Sequence, residues 1–276
     1  MPIVSLTTDF GEKDYSVSAI KASLHIEIPE ARVIDVSHQI SPFNHTEASY
    51  ILKNAYTAFP KGSIHILGVD SERTPEVSHV AMLLNGHYFI GADNGVFSLI
   101  AEETQPEKIV EINIHQNLVS SFPVLDVFVK VAGHLARNGQ LEVIGKTIQN
   151  VKKVTGLNPV VAPEGNALMG SIIYIDNYGN VVTNITKKQF QEVGKSRDFT
   201  IFARTEKFHK IVNHYSEAID FSLPAGKRDE DGKKIALFNT AGHLELAIYK
   251  SNPLTVGSAH SLFGLDYRDP ITIEFY

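Results

Sequence analysis

The sequence predicts an α/β domain at the N-terminus, with a mainly parallel sheet and flanking helices, followed by a small β-barrel domain at the C-terminus. Its 276 residues are more than one hydrophobic core normally needs, which favours two domains. Apolar runs alternate with helical apolar spacing in the first half, whereas short strand-like runs separated by turn signals fill the second half. Periodicity weakens, and prolines and glycines recur, from 140 to 166. We therefore predict domains at 1–150 and 167–276, joined by a linker at 151–166.

The N-terminal domain begins with alternating strands and helices, an order that is typical of a parallel sheet with helices on its faces. Between 78 and 91, two strand-like runs flank Asn85-Gly86, which favours a two-residue hairpin, so antiparallel strands should extend the sheet. The predicted elements are strands at 2–6, 31–36, 63–69 and near 108–114, and helices at 17–28, 45–58, after 95 and at 126–138.

The predicted elements after the linker are strands. Short strands separated by turn signals are typical of a small β-barrel. Residues 225–234 are charged and contain two glycines, which predicts an exposed loop. The strands lie at 167–186, 197–203, 235–239, 244–249 and 271–275.

Composition narrows the classes of function. The chain is 43% hydrophobic and 20% charged, as in ordinary globular proteins. A formal net charge of −6 argues against nucleic acid or an anionic membrane as the main partner. No apolar run reaches the roughly 18 residues of a spanning helix, and no secretory signal is visible. Without cysteine, disulfides and thiol chemistry are excluded, and we expect a cytoplasmic protein.

One stretch concentrates polar groups at a predicted turn between a strand and a helix. It runs from Thr7 to Ser16 and contains Asp9, Gly11 and Asp14. In an open α/β sheet such turns lie at the carboxyl edge, where ligands bind. Two carboxylates, a glycine and free amides at a helix start could hold a polyhydroxyl group such as a ribose. The alternative is that Asp14 caps the helix and Asp9 caps the turn.

Five sequence blocks, in order along nearly the whole chain, resemble one protein family. They are TTDFG followed by KDYSVSAIKA near the start, VIDVSHQISPF at 33–43, ADNG at 92–95, IDNYGNVVTNI at 175–185 and NTAGHLELA at 239–247. These blocks resemble the S-adenosylmethionine (SAM) hydroxide adenosyltransferase family, which is related to the enzymes that fluorinate or chlorinate SAM. The resemblance implies an α/β domain followed by a β-barrel domain, and a homotrimer.

The resemblance also implies ligand-binding residues in the N-terminal domain. Asp9, Asp14 and Ser16 resemble the residues that the family uses for the ribose and the amino-acid end of SAM. Phe43 matches an aromatic residue that borders the nucleoside.

Five residues of the C-terminal domain match further binding positions. Asp176 and Asn180 resemble groups that engage the methionine ammonium, and a carboxylate supplies the negative charge that an ammonium needs. Tyr215 lies where the family stacks an aromatic residue on adenine, and Asn239-Thr240 matches a pair near the carboxylate. For the segment 176–180, a simple β-turn is the alternative explanation.

Asp70 and Arg73 resemble two members of the family's Asp-Arg-His triad, which is thought to activate water for attack on C5′ of SAM. Asp70 directly follows the predicted strand 63–69, so it should lie at the same sheet edge as Asp9. The two triad residues could also form a surface ion pair of little consequence. The loop between them is shorter than in the family, where a Pro-Gly-Val-Gly spacer is usual.

The third member of the triad is absent from its position. Pro123 stands where the family has the histidine, and Leu125 stands where it has an arginine. Proline can neither accept a proton nor donate a hydrogen bond. His65, His79 and His115 remain open as replacements.

Two functions of different classes follow. The first is an enzyme that hydrolyses SAM to adenosine and methionine with Asp70 and Arg73 as catalytic residues, at a rate reduced by loss of the histidine. It would need no metal or organic cofactor. The second is a protein that binds SAM or adenosine without turnover. A changed nucleophile or nucleoside substrate is a third possibility, but the missing spacer and Ala241, in place of an arginine of the halogenating branch, argue against halide chemistry.

Overall fold

The computed structural model describes residues 1–102, 104–114, 118, 120–154, 158–230 and 232–276. The chain divides into two compact units, Met1–Gly156 and Leu157–Tyr276. Part of the predicted linker, 155–157, lies outside the described residues. Within the described ranges, no helix combines the length and the apolar character needed to cross a bilayer.

The first unit is a seven-stranded sheet with helices, and the sheet is mixed rather than mainly parallel. The strand order is β2-β1-β3-β5-β4-β6-β7, in which the first three pairings are parallel and the last three are antiparallel. The βαβαβ pattern covers only β1 to β3, whereas the later strands pair antiparallel: β5 with β4, β4 with β6, and β6 with β7. The elements are β1 (Ile3–Thr8), α1 (Ser16–Glu27), β2 (Arg32–Ser37), α2 (His45–Tyr56), β3 (Ile64–Gly68), β4 (His79–Leu84), β5 (His87–Ala92), α3 (Val96–Ala101), β6 (Lys108–Ile112), a π-helical turn (Val124–Phe128) leading into α4 (Val129–Ala136), and β7 (Gly145–Ile148).

Helices cover both faces of this sheet. Alternate residues of β3 face opposite sides, as the pleat requires: Ile64 and Ile66 pack in a core with α1 and α4, and Leu67 packs in a second core with α2 and α3. Both faces of β3 are buried, so its residues are mainly apolar, and the first acidic side chain appears where the strand ends. Asp70 follows at that end.

A buried histidine is the exception in β3. His65 is fully buried, its Nδ1 lies 2.6 Å from Ser5 Oγ, and its Nε2 lies 3.2 Å from Nδ1 of His87. Burial, followed by the proximity of His87, lowers the pKa of His65 to about 3. This histidine therefore belongs to the core of the sheet and lies among Tyr56 and Phe59, not at the strand end.

The His65 cluster should make stability depend on pH. Because the folded pKa is far below the unfolded value of 6.5, the unfolded chain binds the extra proton, and stability should fall as pH falls from about 6.5 toward 3. The slope of the unfolding free energy should approach about 1.4 kcal/mol per pH unit for this one proton. Denaturant unfolding followed by circular dichroism should show a shallower slope for His65→Gln. An identical change in exposed His25→Gln would contradict this assignment.

The second unit is built of strands curled toward a barrel. Its order is β12-β11-β15-β9-β10-β14-β13, with β8 paired to β9. Lys234 of β13 and Glu206 of β12 form an ion pair of 2.8 Å, so the two ends of this order meet through side chains. No ladder pairing between these two strands occurs in the described part of the chain. The elements are β8 (Val160–Val161), β9 (Ala167–Ile175), β10 (Val181–Thr186), α5 (Lys187–Gly194), β11 (Phe199–Ala203), β12 (Glu206–Phe208), β13 (Lys234–Phe238), β14 (His243–Ile248), α6 (Ala259–Phe263) and β15 (Pro270–Phe275).

The predicted loop 225–234 is mostly exposed where the structure describes it, with residue 231 outside the description. It contains one 3-10 turn, Ala225–Lys227, and ends where β13 begins at Lys234.

Candidate functional site

Asp9 and Asp70 lie at one edge of the first unit's sheet. Strands β1 and β3 are parallel neighbours in which Thr8 pairs with Gly68, so the residues that follow both strands emerge together. Gly68 permits close packing there, because a Cβ at this position would lie 3.0 Å from Thr8 Cγ2 and 3.1 Å from Val124 Cγ2. The predicted juxtaposition of the two aspartates at the same edge is thus confirmed.

The segment between β2 and α2 runs along this edge and is anchored by His38. This buried imidazole lies 2.8 Å from Thr8 Oγ1 through Nδ1 and 3.0 Å from Asp35 Oδ1 through Nε2. The second contact is an ion-pair distance without the alignment of a hydrogen bond. The backbone of the segment also bonds to the β1 end, since Gly11 N donates to His38 O at 2.8 Å.

The same segment reaches both aspartates. The Phe43 amide donates to Asp9 Oδ2 at 3.0 Å, and His45 Nε2 lies 3.0 Å from Asp70 Oδ2. Phe43 adopts φ of 61°, and the residue is 70% exposed. An aromatic surface in open solvent next to a carboxylate can cover the flat face of a nucleoside whose hydroxyls bond to that carboxylate.

The backbone of Asp70 is held in an unusual conformation by Asn94. Asp70 has φ of 45°, in the left-handed region that few residues other than glycine occupy. The buried Asn94 side chain donates through Nδ2 to the carbonyl oxygens of Val69 and Asp70, both at 3.0 Å, and its Oδ1 accepts from Val96 N. Asn94 therefore fixes the turn that presents the Asp70 carboxylate.

Arg73 does not pair with Asp70. It lines a cavity of about 450 Å³ together with His79, Ser120 and Pro123. His79 Nε2 lies 3.0 Å from Ser71 O, and burial, more than the nearby Arg73 charge, lowers the pKa of this imidazole. Pro123 directly precedes the π-helical turn. Arg73 and Pro123 therefore line the same cavity, whereas the carboxylate of Asp70 contacts His45.

Asp14 and Ser16 meet at the start of α1. The Ser16 amide donates to Asp14 Oδ1 at 2.8 Å, and this bond is the main reason that the pKa of Asp14 lies below its ordinary value. The capping alternative is met only in part: Asp14 bonds to the first amide of α1, but the N-cap residue is Tyr15, which forms no side-chain capping bond, and Asp14 itself stays exposed. An exposed, ionised carboxylate at this position can also accept hydrogen bonds from a ligand.

In the second unit, Asp176 organises its own turn. Its Oδ1 accepts from the amides of Tyr178 and Asn180 at 2.8 and 2.9 Å, and its Oδ2 accepts from Asn180 Nδ2 at 2.9 Å. The β-turn explanation for this segment is therefore confirmed. The turn fixes the carboxylate as a local negative charge, and it does not conflict with a ligand role.

Tyr215 and Asn239 converge on a buried carboxylate, Glu245 of β14. Tyr215 Oη donates to one oxygen of Glu245, and Asn239 Nδ2 donates to the other at 3.3 Å. Burial raises the pKa of Glu245, and the nearby Asp176 charge raises it further. The fifth predicted residue, Thr240, is exposed at the tip of the β13–β14 hairpin beside Asn239.

His45, Asn94 and Glu245 take part in these arrangements and are absent from the sequence prediction. Asn94 lies in the quoted ADNG block, and Glu245 is a charged residue within an apolar run, so both carried a signal. Of the proposed histidine replacements, His65 lies in the core, His79 lies in the Arg73 cavity, and His115 falls outside the described residues. Across the described residues, no three histidine or acidic side chains are grouped to hold a metal ion.

Comparison with known families accounts for both units. Residues 4–145 match the model of the SAM hydroxide adenosyltransferase N-terminal domain, and residues 170–272 match that of the SAM hydroxide adenosyltransferase C-terminal domain. The two matches together leave out the segment in which the chain passes from one unit to the other.

Individual proteins are similar over most or all of the chain. The chain is 30% identical to (R)-S-adenosyl-L-methionine hydrolase of Methanocaldococcus jannaschii, over 100% of this chain and 97% of that protein. It is 22% identical to the fluorinase of Actinopolyspora mzabensis, over 89% and 90% of the two chains. The crystal structure of an uncharacterized conserved protein from Thermotoga maritima superposes with a TM-score of 0.81 at 26% identity, covering 99% of both chains. The protein is therefore a member of the SAM hydroxide adenosyltransferase family.

Proposed function

We propose that this protein hydrolyses (R)-S-adenosyl-L-methionine to adenosine and L-methionine. A water oxygen bonds to C5′ of the ribose, the C5′–sulfur bond breaks, and its electron pair stays on the sulfur of methionine. One proton of the water is released. Family membership across both units, with similarity to a hydrolase over 100% of this chain and 97% of that protein, is the observation that carries the proposal.

The sulfonium is already a good leaving group, so the protein mainly has to orient the water and the ribose. Asp70 is proposed to orient the water and accept its proton. Arg73 is proposed as the second catalytic residue, which polarises the water from the cavity it shares with Pro123. Because Arg73 forms no ion pair with Asp70, it is not assigned the task of holding that carboxylate.

The binding roles are divided between the two groups of residues. Asp9, Asp14, Ser16 and Phe43 are proposed to hold the ribose and the nucleoside. In the second unit the proposed contacts to the methionine end and the adenine come from Asp176, Asn180, Tyr215, Asn239 and Thr240.

The deciding experiment is incubation of the pure protein with (R)-SAM, with adenosine and methionine followed by chromatography. Equimolar appearance of both products, faster than in a reaction without protein, is expected. Pro123 supports a second candidate, a SAM- or adenosine-binding protein without turnover, because that position offers no proton-transfer group. Calorimetric binding of SAM with no product would favour this second function.

Asp9→Ala should weaken the binding of both SAM and adenosine by about 1–3 kcal/mol, because a charged acceptor for the ribose hydroxyls is lost. Its Oδ2 is occupied by the Phe43 amide, whereas Oδ1 accepts no hydrogen bond from a described residue. Asp9→Asn keeps an oxygen that can accept the Phe43 amide but removes the negative charge. Comparing it with Asp9→Ala therefore separates the effect of the charge from the effect of losing the bond to Phe43. Calorimetric titration that gives equal affinities for Asp9→Ala and the parent would remove Asp9 from the site.

Assembly and location are part of the same proposal. We infer a cytoplasmic homotrimer that uses no metal or organic cofactor. We also infer that the second unit is folded as a β-barrel. Light scattering checks the assembly, and a stable monomer with intact SAM binding would contradict it.

A further inference from the structure

The Asp70 carboxylate has a histidine partner that comes from a helix start. His45 Nε2 lies 3.0 Å from Asp70 Oδ2, and the two side chains are 25% and 40% exposed. His45 is the first residue of α2, and the N-cap Asn44 accepts the Glu47 amide at 3.1 Å through its side chain. Glu47 in turn accepts from Ser41 N at 3.0 Å. These bonds fix the backbone from which the imidazole projects.

The placement of His45 is coupled to the proposed ribose contact. Phe43, two residues earlier, donates its amide to Asp9 Oδ2. The short segment 43–45 therefore connects the carboxylates that follow β1 and β3. The bond from Phe43 to Asp9 thus helps to fix the backbone of the segment that carries His45.

Asp70 needs such a partner because the bonds that fix its main chain do not fix its side chain. Asn94 fixes the carbonyl groups of Val69 and Asp70, which sets the backbone but leaves the carboxylate free to rotate about its own bonds. In the described part of the chain, His45 is the one side chain that forms an ion pair with this carboxylate.

The other candidates for this task lie elsewhere. Arg73, His79 and Pro123 line the 450 Å³ cavity, and His79 uses Nε2 to contact the Ser71 carbonyl. Proline at 123 has no side-chain donor. A histidine partner for Asp70 is thus present in this chain, but it is supplied by α2 rather than by the segment that leads into α4.

We propose that His45 is the positioning residue that orients the Asp70 carboxylate toward the attacking water. The inference rests on the proposed hydrolase function. The Nε2 proton of His45 is donated to Oδ2 of Asp70, which leaves Oδ1 to accept a hydrogen bond from the water. As the C5′–oxygen bond forms and the C5′–sulfur bond breaks, the water proton passes to Asp70 and then to solvent. His45 acts only through Asp70.

Substitution of His45 should affect kcat and spare binding. His45→Ala is expected to lower kcat by up to about 10²-fold, because a misplaced carboxylate loses its orientation, with little change in the SAM dissociation constant. His45→Gln, whose amide can donate to the same carboxylate, should recover most of the loss. His25→Ala, which removes an exposed histidine in the last turn of α1, serves as the matched control and should behave as the parent.

A double-mutant cycle tests whether His45 acts through Asp70. In the Asp70→Asn background, His45→Ala should cause little further loss of single-turnover rate, since the group it positions is gone. Fully additive losses would overturn the proposal. A large loss for His79→Ala together with none for His45→Ala would also overturn it.

A measurement without turnover separates this proposal from the proposed function. In protein labelled with ¹⁵N-histidine, the ring resonances missing from His45→Ala identify His45. They should shift in Asp70→Asn and stay in place in Glu76→Gln, which alters another exposed carboxylate of the same loop. SAM binding without product would contradict the hydrolase function alone, and absence of the resonance shift would overturn the role of His45.

Discussion

Asp70→Asn is expected to lower the rate of adenosine formation by about 10²–10⁴-fold, the usual contribution of a group that transfers a proton. Asparagine keeps the size of the side chain and tolerates the φ of 45° found at this position. Its amide oxygen can still accept the His45 hydrogen bond. What it loses is the capacity to accept the water proton, so the expected effect lies in kcat and SAM affinity should stay close to that of the parent.

Single-turnover mixing with chromatographic detection measures the rate, and calorimetry measures the affinity. Glu76→Gln is the matched control because it neutralises an exposed carboxylate in the same loop, six residues further on. A rate for Asp70→Asn equal to that of the parent would refute the role of Asp70. A fall in affinity that matches the fall in rate would instead place Asp70 among the binding residues.

The positions of Asp9 and Asp70 could be predicted from sequence because they depend on local signals. An apolar run buried on both faces predicts a strand, and the residue after the strand must then lie at the sheet edge. The pairing of Thr8 with Gly68 confirms this inference for both aspartates. The hairpin at Asn85-Gly86 is equally local: both residues have positive φ, as that turn requires.

The direction of the later strands could not be predicted in the same way. The order of β4, β5 and β6 in the sheet differs from their order in the chain, with β5 lying next to β3. Which strand inserts beside β3 depends on side-chain packing across the sheet, and the apolar pattern of each strand is compatible with either neighbour. The prediction of a mainly parallel sheet was therefore wrong for half of the pairings.

His45 and Glu245 were missed for a different reason. His45 is separated from Asp70 by 25 residues, and only the path of the segment between β2 and α2 brings them together. Glu245 lies in the strand run Leu244–Glu245–Leu246, where alternation does not reveal whether a carboxylate faces solvent or a buried partner. A contact between two side chains that are far apart in the sequence leaves almost no pattern in that sequence.

Neutralising a carboxylate of the second unit is expected to have the second large effect, a loss of SAM affinity through its amino-acid end. Asp176 lies close enough to Glu245 and Tyr215 to raise the pKa of both, after burial as the main cause. Two neighbouring carboxylates repel each other, and a bound ammonium relieves this repulsion. Adenosine has no ammonium group, so it should gain nothing from this pair.

Asp176→Asn should therefore weaken SAM binding by about 1–3 kcal/mol, roughly 5-fold to 150-fold, and leave adenosine affinity unchanged. The asparagine oxygen can still accept the amides of Tyr178 and Asn180, so the turn should persist. Glu245→Gln should have the same selectivity, whereas Glu274→Gln, at an exposed position of β15, should change neither affinity. Calorimetric titrations with both ligands, alongside thermal midpoints to verify folding, provide the test. Equal weakening of SAM and adenosine by Asp176→Asn would mean that the turn, and not the charge, is what the ligand requires.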